Sequence, residues 1–444
     1  MSILKKYTLF ILILVYASSY ANTNESYRIS SFAGIKDLNL YMGEDDYKEI
    51  IRASIFDQPE FKYINSLSAE ENFNLKFARR DRFPTISGNI INDESLDRNI
   101  EDITSVRKRR DDSFDAVVEV NQTLYAGGSI NAGVRAAKSR SKNRNTERQK
   151  TISELILEAN EIYISTATSS FLLEYAQKIF EILKPFKERV DDRVRSGIMD
   201  PVDFALFSVR LNDLETLIYQ LKSASEKNKD SYKIFFNEDY KKLAFPMFLI
   251  SSGISFIDNK SYDVEMSELS FNEKKENITS VRSEYLPKFG VRARYTKYDI
   301  DDDSNEDDIR GGVFVSMPIF SFGRGSARIN AAKAAAQGSK NYVNISKKDD
   351  KIFETGLLSD FNNSISNRSV YIKSFNDTVN QRKTLLDRME ISGFAINSLA
   401  EVMLSEIRLL DILLNNESII IDTYLSILHQ NQVLNSEFMV MLER

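Results

Sequence analysis

The sequence repeats one pattern about 195 residues apart, and this repeat most constrains the fold. The first copy, from Gln122 to Lys138, reads QTLYAGGSINAGVRAAK, and the second, from Met317 to Lys333, reads MPIFSFGRGSARINAAK. Each copy reads as the end of an alternating strand, a glycine turn and the start of an alanine-rich helix. A Ser-Gly pair at 196–197 recurs at 392–393 with nearly the same offset. We therefore predict two structural repeats, residues 22–242 and 243–444.

The first 21 residues predict a secretory signal peptide. Lys5 and Lys6 form its basic end, an apolar run follows, and Ser19-Tyr-Ala21 has the small–x–small cleavage pattern. The apolar run is too short to span a bilayer as a helix. Removal of the signal takes away two lysines and no acid, which changes the formal net charge from −6 to −8. This acidic balance argues against nucleic acid as a partner.

The chain contains no cysteine. An exported protein without disulfides has to be held together by packing, and this one has no residue for N-terminal lipid attachment. Hydrophobic residues make up 42% of the chain and charged residues 28%, which is typical of a folded and strongly amphipathic protein.

Alternation of apolar and polar residues predicts two β-hairpins, at about residues 85–125 and 287–320. In the second hairpin, the apolar positions Phe289, Val291, Ala293 and Tyr295 are separated by polar ones that include Arg292 and Arg294. Strands of about ten residues with one apolar side are typical of outer-membrane barrels.

Two very long helices are predicted after the hairpins, at 130–194 and 329–389. A helix of about 65 residues is roughly 100 Å long, and such a length favours coiled-coil packing over a compact core. Pro185 lies inside the first helix and predicts a kink or a break there. A shorter helix at 45–80 should be interrupted at Pro59.

Four membrane strands cannot close a barrel, because about eight is the smallest number seen. An open sheet edge is not tolerated in lipid. Several chains must therefore pool their strands if the hairpins span a membrane, and the long helices must lie outside it.

The order, doubling and spacing of these motifs resemble one family, the TolC-like outer-membrane efflux and secretion channels, over nearly the whole mature chain. The matching motifs are Gln58-Pro-Glu60 (the family usually has Asn-Pro-Glu), Pro84 and Leu286-Pro287 before the hairpins, the turn at Tyr125 to Gly128 with its variant at Phe320 to Gly323, and the two Ser-Gly tip turns.

The resemblance implies a mixed membrane α+β fold. A homotrimer would form a twelve-stranded β-barrel, with four strands per chain, continued by a long periplasmic α-helical coiled-coil barrel. The implied location is the cell outer membrane, with the tunnel in the periplasm. The implied partners are outer-membrane lipid, a periplasmic adaptor protein and an inner-membrane ABC or RND-type transporter. The implied function is a passive exit duct for type I protein secretion or multidrug efflux, without a cofactor, and the missing lipidation cysteine favours type I secretion.

The resemblance also assigns roles to individual residues. The adaptor-docking tip turns match at Ser196, Gly197, Ile198, Ser392, Gly393 and Phe394. The gate candidates are Asp203, six residues after the tip glycine, and Glu401; where family members with an acidic gate carry carboxylates, this chain has Leu399 and Val402, with Glu406 nearby. The hairpin-to-helix turns are Gly127, Gly128, Gly323 and Gly325.

Four other motifs have simpler interpretations. The acidic run Asp299–Asp308 lacks the glycine and glutamate of a calcium-binding EF-hand loop and reads as a solvated hairpin loop. Gly323-Arg-Gly325 lacks the third glycine of a dinucleotide-binding fingerprint. His429 is the only histidine and reads as an ordinary helix residue. The basic run Arg107–Arg110 reads as loop charge that can meet anionic glycolipid.

Two other functions remain open at the level of sequence. The main alternative is a periplasmic coiled-coil adaptor without a pore, although an adaptor does not need two membrane-type hairpins. An enzyme is less well supported, because the sequence offers no nucleophile–base set and no metal-ligand cluster.

Overall fold

The structure is a computed structural model that describes residues 26–28, 41–94, 112–241, 244–246, 249–251, 260–301, 306–391 and 396–440. The predicted signal peptide and the basic run at 107–110 lie outside the described residues. The strands are β1 (Ser26–Arg28), β2 (Tyr41–Met42), β3 (Thr85–Glu94), β4 (Asp112–Ala126), β5 (Phe245–Pro246), β6 (Leu249–Ser251), β7 (Lys288–Lys297) and β8 (Asp307–Ser316). The helices are α1 (Glu44–Ile55), α2 (Pro59–Arg80), α3 (Ser129–Arg195), α4 (Pro201–Phe236), α5 (Tyr262–Ser283), α6 (Arg324–Ile391), α7 (Ile396–Gln430) and α8 (Leu434–Glu437).

The two long helices, α3 and α6, contain 67 and 68 residues, close to the predicted bounds. The predicted interruption at Pro59 is confirmed, since this proline is the first residue of α2, where its missing N–H costs nothing. At Pro185, where a kink or a break is predicted, α3 continues without a break. The buried side chains of Leu183 and Val190 flank the proline, and this packing on both sides offsets the single lost hydrogen bond.

The chain divides into two compact units. The strand unit consists of Ile64–Arg148 and Asp263–Lys348, and the helical unit consists of Met1–Tyr63, Gln149–Tyr262 and Asp349–Arg444. Both units draw on both halves of the sequence. The predicted repeat boundary between residues 242 and 243 stays a prediction.

The strand unit contains one antiparallel four-stranded sheet in the order β3-β4-β7-β8. The two hairpins are joined by the pairing of β4 with β7, in which Val118 lies opposite Tyr295. Strand β8 begins at Asp307, six residues before the first apolar position used to predict it. The last two residues of the predicted acidic loop therefore belong to a strand, because paired backbone overrides their low strand propensity.

The helices of the strand unit are linked by polar side chains. Ser68 on α2 donates a hydrogen bond to Asn145 on α3 at 2.6 Å. On α5, Glu276 pairs with Arg135 of α3 at 2.8 Å, and Glu268 pairs with Lys347 of α6 at 2.9 Å. These links make α2, α3, α5 and α6 successive neighbours.

The helical unit has its core along α7, where buried apolar side chains recur on more than one face. Its two short strand pairs are β1 with β6, antiparallel, and β2 with β5, parallel. Gln58 of the Gln-Pro-Glu motif donates to the backbone carbonyls of Ser54 at 3.1 Å and Phe235 at 2.7 Å. The motif thus ties the end of α1 to the last turn of α4, whose terminal carbonyls have no partner within the helix.

Candidate functional site

One face of the four-stranded sheet is mostly apolar and is exposed in the single chain. Exposure is highest on β3 and β8, where Ile86 is 70% exposed and Ile309 and Val313 are both 77% exposed. The register places on this face Ile86, Ile90, Val118, Val120, Phe289, Val291, Ala293, Tyr295, Ile309, Val313 and Val315. A contiguous apolar surface of this kind requires a partner surface or a lipid environment.

The opposite face carries polar and charged side chains. Across the strands, Glu119, Arg294 and Arg310 lie directly opposite one another, and the next position pairs Asn121 with Arg292. The Arg292 Nε donates to the Asn121 Oδ1 at 2.9 Å and lies 3.4 Å from a Glu119 carboxylate oxygen. The predicted alternation of β7, with Arg292 and Arg294 on the side away from Val291, is therefore confirmed.

Gly290 creates a slot on the polar face for an aromatic ring. Phe314 lies opposite Gly290, and a Cβ placed on that glycine would meet the Phe314 ring at 2.4 Å and the Gln122 carbonyl oxygen at 2.7 Å. The guanidinium group of Arg292 lies 5.6 Å from the centre of the same ring, within cation–π range.

The hairpin-to-helix turns place their glycines in the left-handed region of backbone conformation. Gly127, Gly128 and Gly323 have φ values of 62°, 91° and 79°, which side chains with a Cβ rarely adopt. Gly325 lies in the first turn of α6 with ordinary φ, and a Cβ there would meet the Tyr285 ring at 2.9 Å. Both turns therefore require glycine, for two different reasons.

The first tip turn, at 196–198, is a Schellman motif that ends α3. Gly197 has φ of 73°, its N–H donates to the Val194 carbonyl at 3.0 Å, and the N–H of Ile198 donates to the Arg193 carbonyl at 2.9 Å. Ile198 is 64% exposed, so the turn presents an apolar side chain to solvent. The second tip turn, Ser392, Gly393 and Phe394, lies outside the described residues.

The two gate candidates differ in their surroundings. Asp203, in the first turn of α4, accepts a hydrogen bond from the Asn397 Nδ2 at 3.2 Å in the first turn of α7. The Oδ1 of Asn397 is buried and has no partner among the described residues. Glu401 is exposed, whereas Leu399 is fully buried. The structure therefore joins Asp203 to Asn397 of α7, and among the described residues it shows no hydrogen bond or ion pair between Asp203 and Glu401.

The buried ion pairs of the helical unit were not predicted from the sequence. Glu406 is fully buried, accepts a hydrogen bond from the Arg382 Nε at 2.8 Å and also accepts one from the Tyr175 hydroxyl. These three residues join α7, α6 and α3. Burial, followed by the charge of Glu406, raises the pKa of Tyr175, so this hydroxyl stays protonated and serves as a donor.

A second buried pair lies further along α7. Glu417 is 1% exposed and accepts from the Arg368 Nε at 2.5 Å. Burial raises the pKa of Glu417, and the charge of Arg368 opposes that effect. The sequence shows Glu417 only as a glutamate within an apolar helix. Its partner, Arg368, lies 49 positions earlier in the chain, so no local pattern predicts the pair.

A third polar link joins α1, α3 and α7. Asn160 donates to the Asp422 carboxylate at 2.5 Å and accepts from the Tyr47 hydroxyl. Burial, with a smaller effect from the charge of Glu161, raises the pKa of Asp422 to about 6, against a usual value of 3.8. His429, on the same helix, has its Nδ1 2.7 Å from the Ser153 hydroxyl oxygen.

None of the helices in the described part of the chain is both long enough and apolar enough to cross a membrane. Within the same residues, no group of three or more histidine, aspartate and glutamate side chains is arranged to hold a metal ion.

The fold matches several solved outer-membrane channels. The CmeC outer membrane channel of Campylobacter jejuni is 13% identical, with a TM-score of 0.68 over 87% of this chain and 85% of CmeC. The outer membrane protein VceC of Vibrio cholerae is 12% identical, with a TM-score of 0.68 over 87% of this chain and 96% of VceC. The MtrE outer membrane channel of Neisseria gonorrhoeae is 14% identical, with a TM-score of 0.64 over 87% and 88% of the two chains.

No protein-family model matches the sequence, and no curated protein matches it either. The structural matches nevertheless extend over most of both chains. The chain therefore has the fold of the TolC-like outer-membrane channels, with one four-stranded sheet and two very long helices, and the predicted fold class is confirmed.

Proposed function

We propose that this chain forms the outer-membrane exit duct of a tripartite export machine. The observation that carries the proposal is the four-stranded sheet, with an exposed apolar face and an opposite charged face. Within the described residues, the outer edges of β3 and β8 pair with no other strand. A sheet with these properties is incomplete as a monomer, because both the apolar face and the open edges require partners.

The strand directions of the sheet permit its closure into a barrel. Because neighbouring strands are all antiparallel and their number is even, β8 of one copy runs antiparallel to β3 of the next. Two copies supply eight strands and three supply twelve, and both numbers are compatible with a closed barrel. We adopt three, the number that the channel resemblance implies. The apolar face then contacts outer-membrane lipid and the charged face lines the lumen.

The predicted two-repeat organisation fits this assembly. Each repeat supplies one hairpin and one helix of nearly 70 residues, which at 1.5 Å per residue extends roughly 100 Å. Such helices are long enough to form a tunnel through much of the periplasm. We place the tip turns at the periplasmic end of that tunnel.

The tip turns are proposed to dock the periplasmic adaptor. Ser196, Gly197 and Ile198 form a tight turn with an exposed apolar side chain, and Ser392, Gly393 and Phe394 have the same sequence pattern. A homotrimer presents six such turns around one opening, a suitable footprint for a ring of adaptor subunits. The adaptor in turn links the duct to an inner-membrane ABC or RND-type transporter, which supplies the energy. The duct itself performs no chemistry.

Asp203 and Glu401 are proposed to brace the closed aperture. The hydrogen bond between Asp203 and Asn397 supports this role for Asp203, because it fastens the start of α4 to the start of α7. Asp203→Ala and Glu401→Ala should each raise the single-channel conductance of the purified trimer in planar bilayers. Conductance equal to that of the wild type in either variant would place the gate elsewhere.

Type I protein secretion and multidrug efflux are distinguished by deletion of the gene. We expect loss of one or more secreted proteins with little change in drug susceptibility, because the chain lacks the cysteine for lipid attachment. The deleted strain is complemented with wild-type chain and with a Gly197→Val variant that still reaches the outer membrane. Raised drug susceptibility with an unchanged set of secreted proteins would instead assign the duct to efflux, and no change in either would contradict the proposed function.

The alternative of a periplasmic adaptor without a pore is less well supported. A water-soluble adaptor would expose Ile86, Ile309 and Val313 to solvent, each at least 70% exposed. Exposure of so many large apolar side chains on one sheet face promotes aggregation.

A further inference from the structure

Three arginines lie at two successive register positions of the charged sheet face, and we call Arg292, Arg294 and Arg310 the arginine belt. Arg294 and Arg310 lie directly opposite each other on β7 and β8, and Arg292 is two residues from Arg294 on the same face. The side chains of Arg292 and Arg310 are 56% and 76% exposed. The belt is therefore accessible to solutes on that face.

The belt is only partly neutralised. Arg292 contacts Glu119 at 3.4 Å, and Arg310 contacts Asp308, on its own strand, at 2.5 Å. Arg294 makes no hydrogen bond or ion pair with any described residue, although Glu119 is its neighbour in the register. The two register positions of the belt hold three arginines and one glutamate, Glu119. Their formal charges sum to +2 per chain.

The charges of this face balance overall but are separated along the strands. The face carries four bases and four acids, which are Lys288, Arg292, Arg294, Arg310, Asp93, Asp115, Glu119 and Asp308. Three of the acids lie toward the ends of the strands that meet residues 95–111 and 302–305, and the arginines lie further in. One of those acids, Asp115, also accepts a hydrogen bond from the backbone N–H of Asp299 at 3.2 Å. The separation leaves the belt as a distinct positive band.

In the proposed trimer, this band closes into a ring of nine arginines and three glutamates. Charges that line a narrow, low-dielectric passage produce potentials of several kT and concentrate ions of the opposite sign. Neighbouring strands of a sheet lie about 4.8 Å apart, which is less than the screening length of about 8 Å at physiological ionic strength. The charges therefore act together on a passing solute.

We propose that the arginine belt makes the barrel lumen anion-selective and favours exported solutes that carry carboxylate or phosphate groups. The guanidinium group presents a planar fork of donors that matches these groups, and Arg294 has this fork unoccupied within the described structure. The inference rests on the proposed pore. It adds a preference for one sign of charge, which the fold alone does not supply.

The test measures ion selectivity of the purified trimer in planar bilayers under a potassium chloride gradient. The reversal potential of the wild type should show a preference for chloride of at least about twofold. Arg294→Gln should reduce that preference, and Arg294→Glu should reverse it. The matched control is Lys288→Gln, which removes one positive charge from the same face outside the belt and should change the preference much less.

Each outcome of this test decides the inference. A conducting wild type with no chloride preference, or an Arg294→Glu variant with unchanged selectivity, overturns the belt but leaves the proposed pore intact. Inserted protein that never conducts contradicts both. If Arg294 variants fail to form trimers, Arg310→Gln replaces them and should lower the chloride preference in the same direction; an unchanged preference there also overturns the belt.

Discussion

Glu406 on α7 and Arg382 on α6 form a buried ion pair, in which the Arg382 Nε donates to the carboxylate at 2.8 Å. The Arg382 side chain is 17% exposed and that of Glu406 is fully buried. The Tyr175 hydroxyl of α3 donates to the other carboxylate oxygen. The three side chains therefore join α7, α6 and α3 at one point, where the Glu406 carboxylate is shielded from solvent.

Glu406→Gln should destabilise the protein strongly. The substitution keeps the shape of the side chain but leaves the Arg382 charge buried without a counter-charge, which typically costs about 3–5 kcal/mol. The measurement is the free energy of unfolding from denaturant titration. Glu181→Gln, on an exposed position of α3, is the control and should change it by less than about 0.5 kcal/mol. Equal effects of the two variants would show that the ion pair does not hold the helices.

The Glu406–Arg382 pair illustrates that the bounds of a helix can be predicted from the sequence, whereas its contacts with other helices cannot. Helix α3 was predicted within one residue at each end, because a glycine turn precedes it and a glycine cap follows it. Glu406 was noted only as an acid near a gate position, because its partner lies 24 residues away on another helix. Periodicity predicts that a helix buries one face, but it does not predict which helix covers that face.

The four-stranded sheet was also predicted only in part. Alternation predicted two separate hairpins, and the face assignment of Val291 and Arg292 followed from the period of two. The pairing of β4 with β7, which joins the hairpins, depends on contacts about 170 residues apart that no local pattern encodes. The start of β8 was missed because Asp307, Asp308 and Arg310 lack strand propensity.

Gly197→Val should block export and leave the protein in the outer membrane. Valine is strained at a φ of 73°, by about 1–2 kcal/mol or more, so the tip turn has to change shape. The barrel strands belong to the other unit of the chain and should assemble normally. Export activity and membrane fractionation are both measured.

Gly197→Asn is the matched control for that variant. Asparagine tolerates the left-handed conformation, and open space surrounds the position, so this side chain should preserve export. Normal export by the valine variant, or equal loss in both variants, would contradict the proposed docking role of the turn.

Val291→Arg should impair assembly far more than Arg292→Val. Val291 lies on the apolar face, where an arginine in lipid costs about 2–4 kcal/mol near mid-membrane. Arg292 lies on the charged face, where its loss removes contacts with Asn121 and Glu119 but exposes no charge to lipid. The amount of each variant recovered from the outer membrane measures the difference. Equal recovery would mean that β7 does not contact lipid.

Asp422→Asn should change how stability depends on pH. In the folded state the pKa of Asp422 is about 6, above its usual 3.8, because the group is buried and Glu161 is near. The native state therefore binds more protons than the unfolded state between these values, so the free energy of unfolding falls as pH rises from about 4 to about 6.

The Asp422→Asn variant should lack this part of the pH dependence and be more stable at pH 7, by a margin on the order of 2–3 kcal/mol. Denaturant unfolding of both proteins at pH 4, 5, 6 and 7 checks the difference. Parallel pH profiles for the two proteins would show that the Asp422 carboxylate is not protonated preferentially in the native state.

The most direct test of the whole account is disulfide cross-linking between the two open edges of the sheet. The chain has no cysteine, so pairs can be introduced without background, with Val313→Cys on β8 and, in separate variants, Ile86→Cys, Gly88→Cys or Ile90→Cys on β3. Single-cysteine variants are the controls. After oxidation of intact outer membranes, at least one pair in a trimeric barrel should give a covalent product that stops at three chains. Products that stop at two chains, extend beyond three, or never form for any pair would contradict the twelve-stranded barrel.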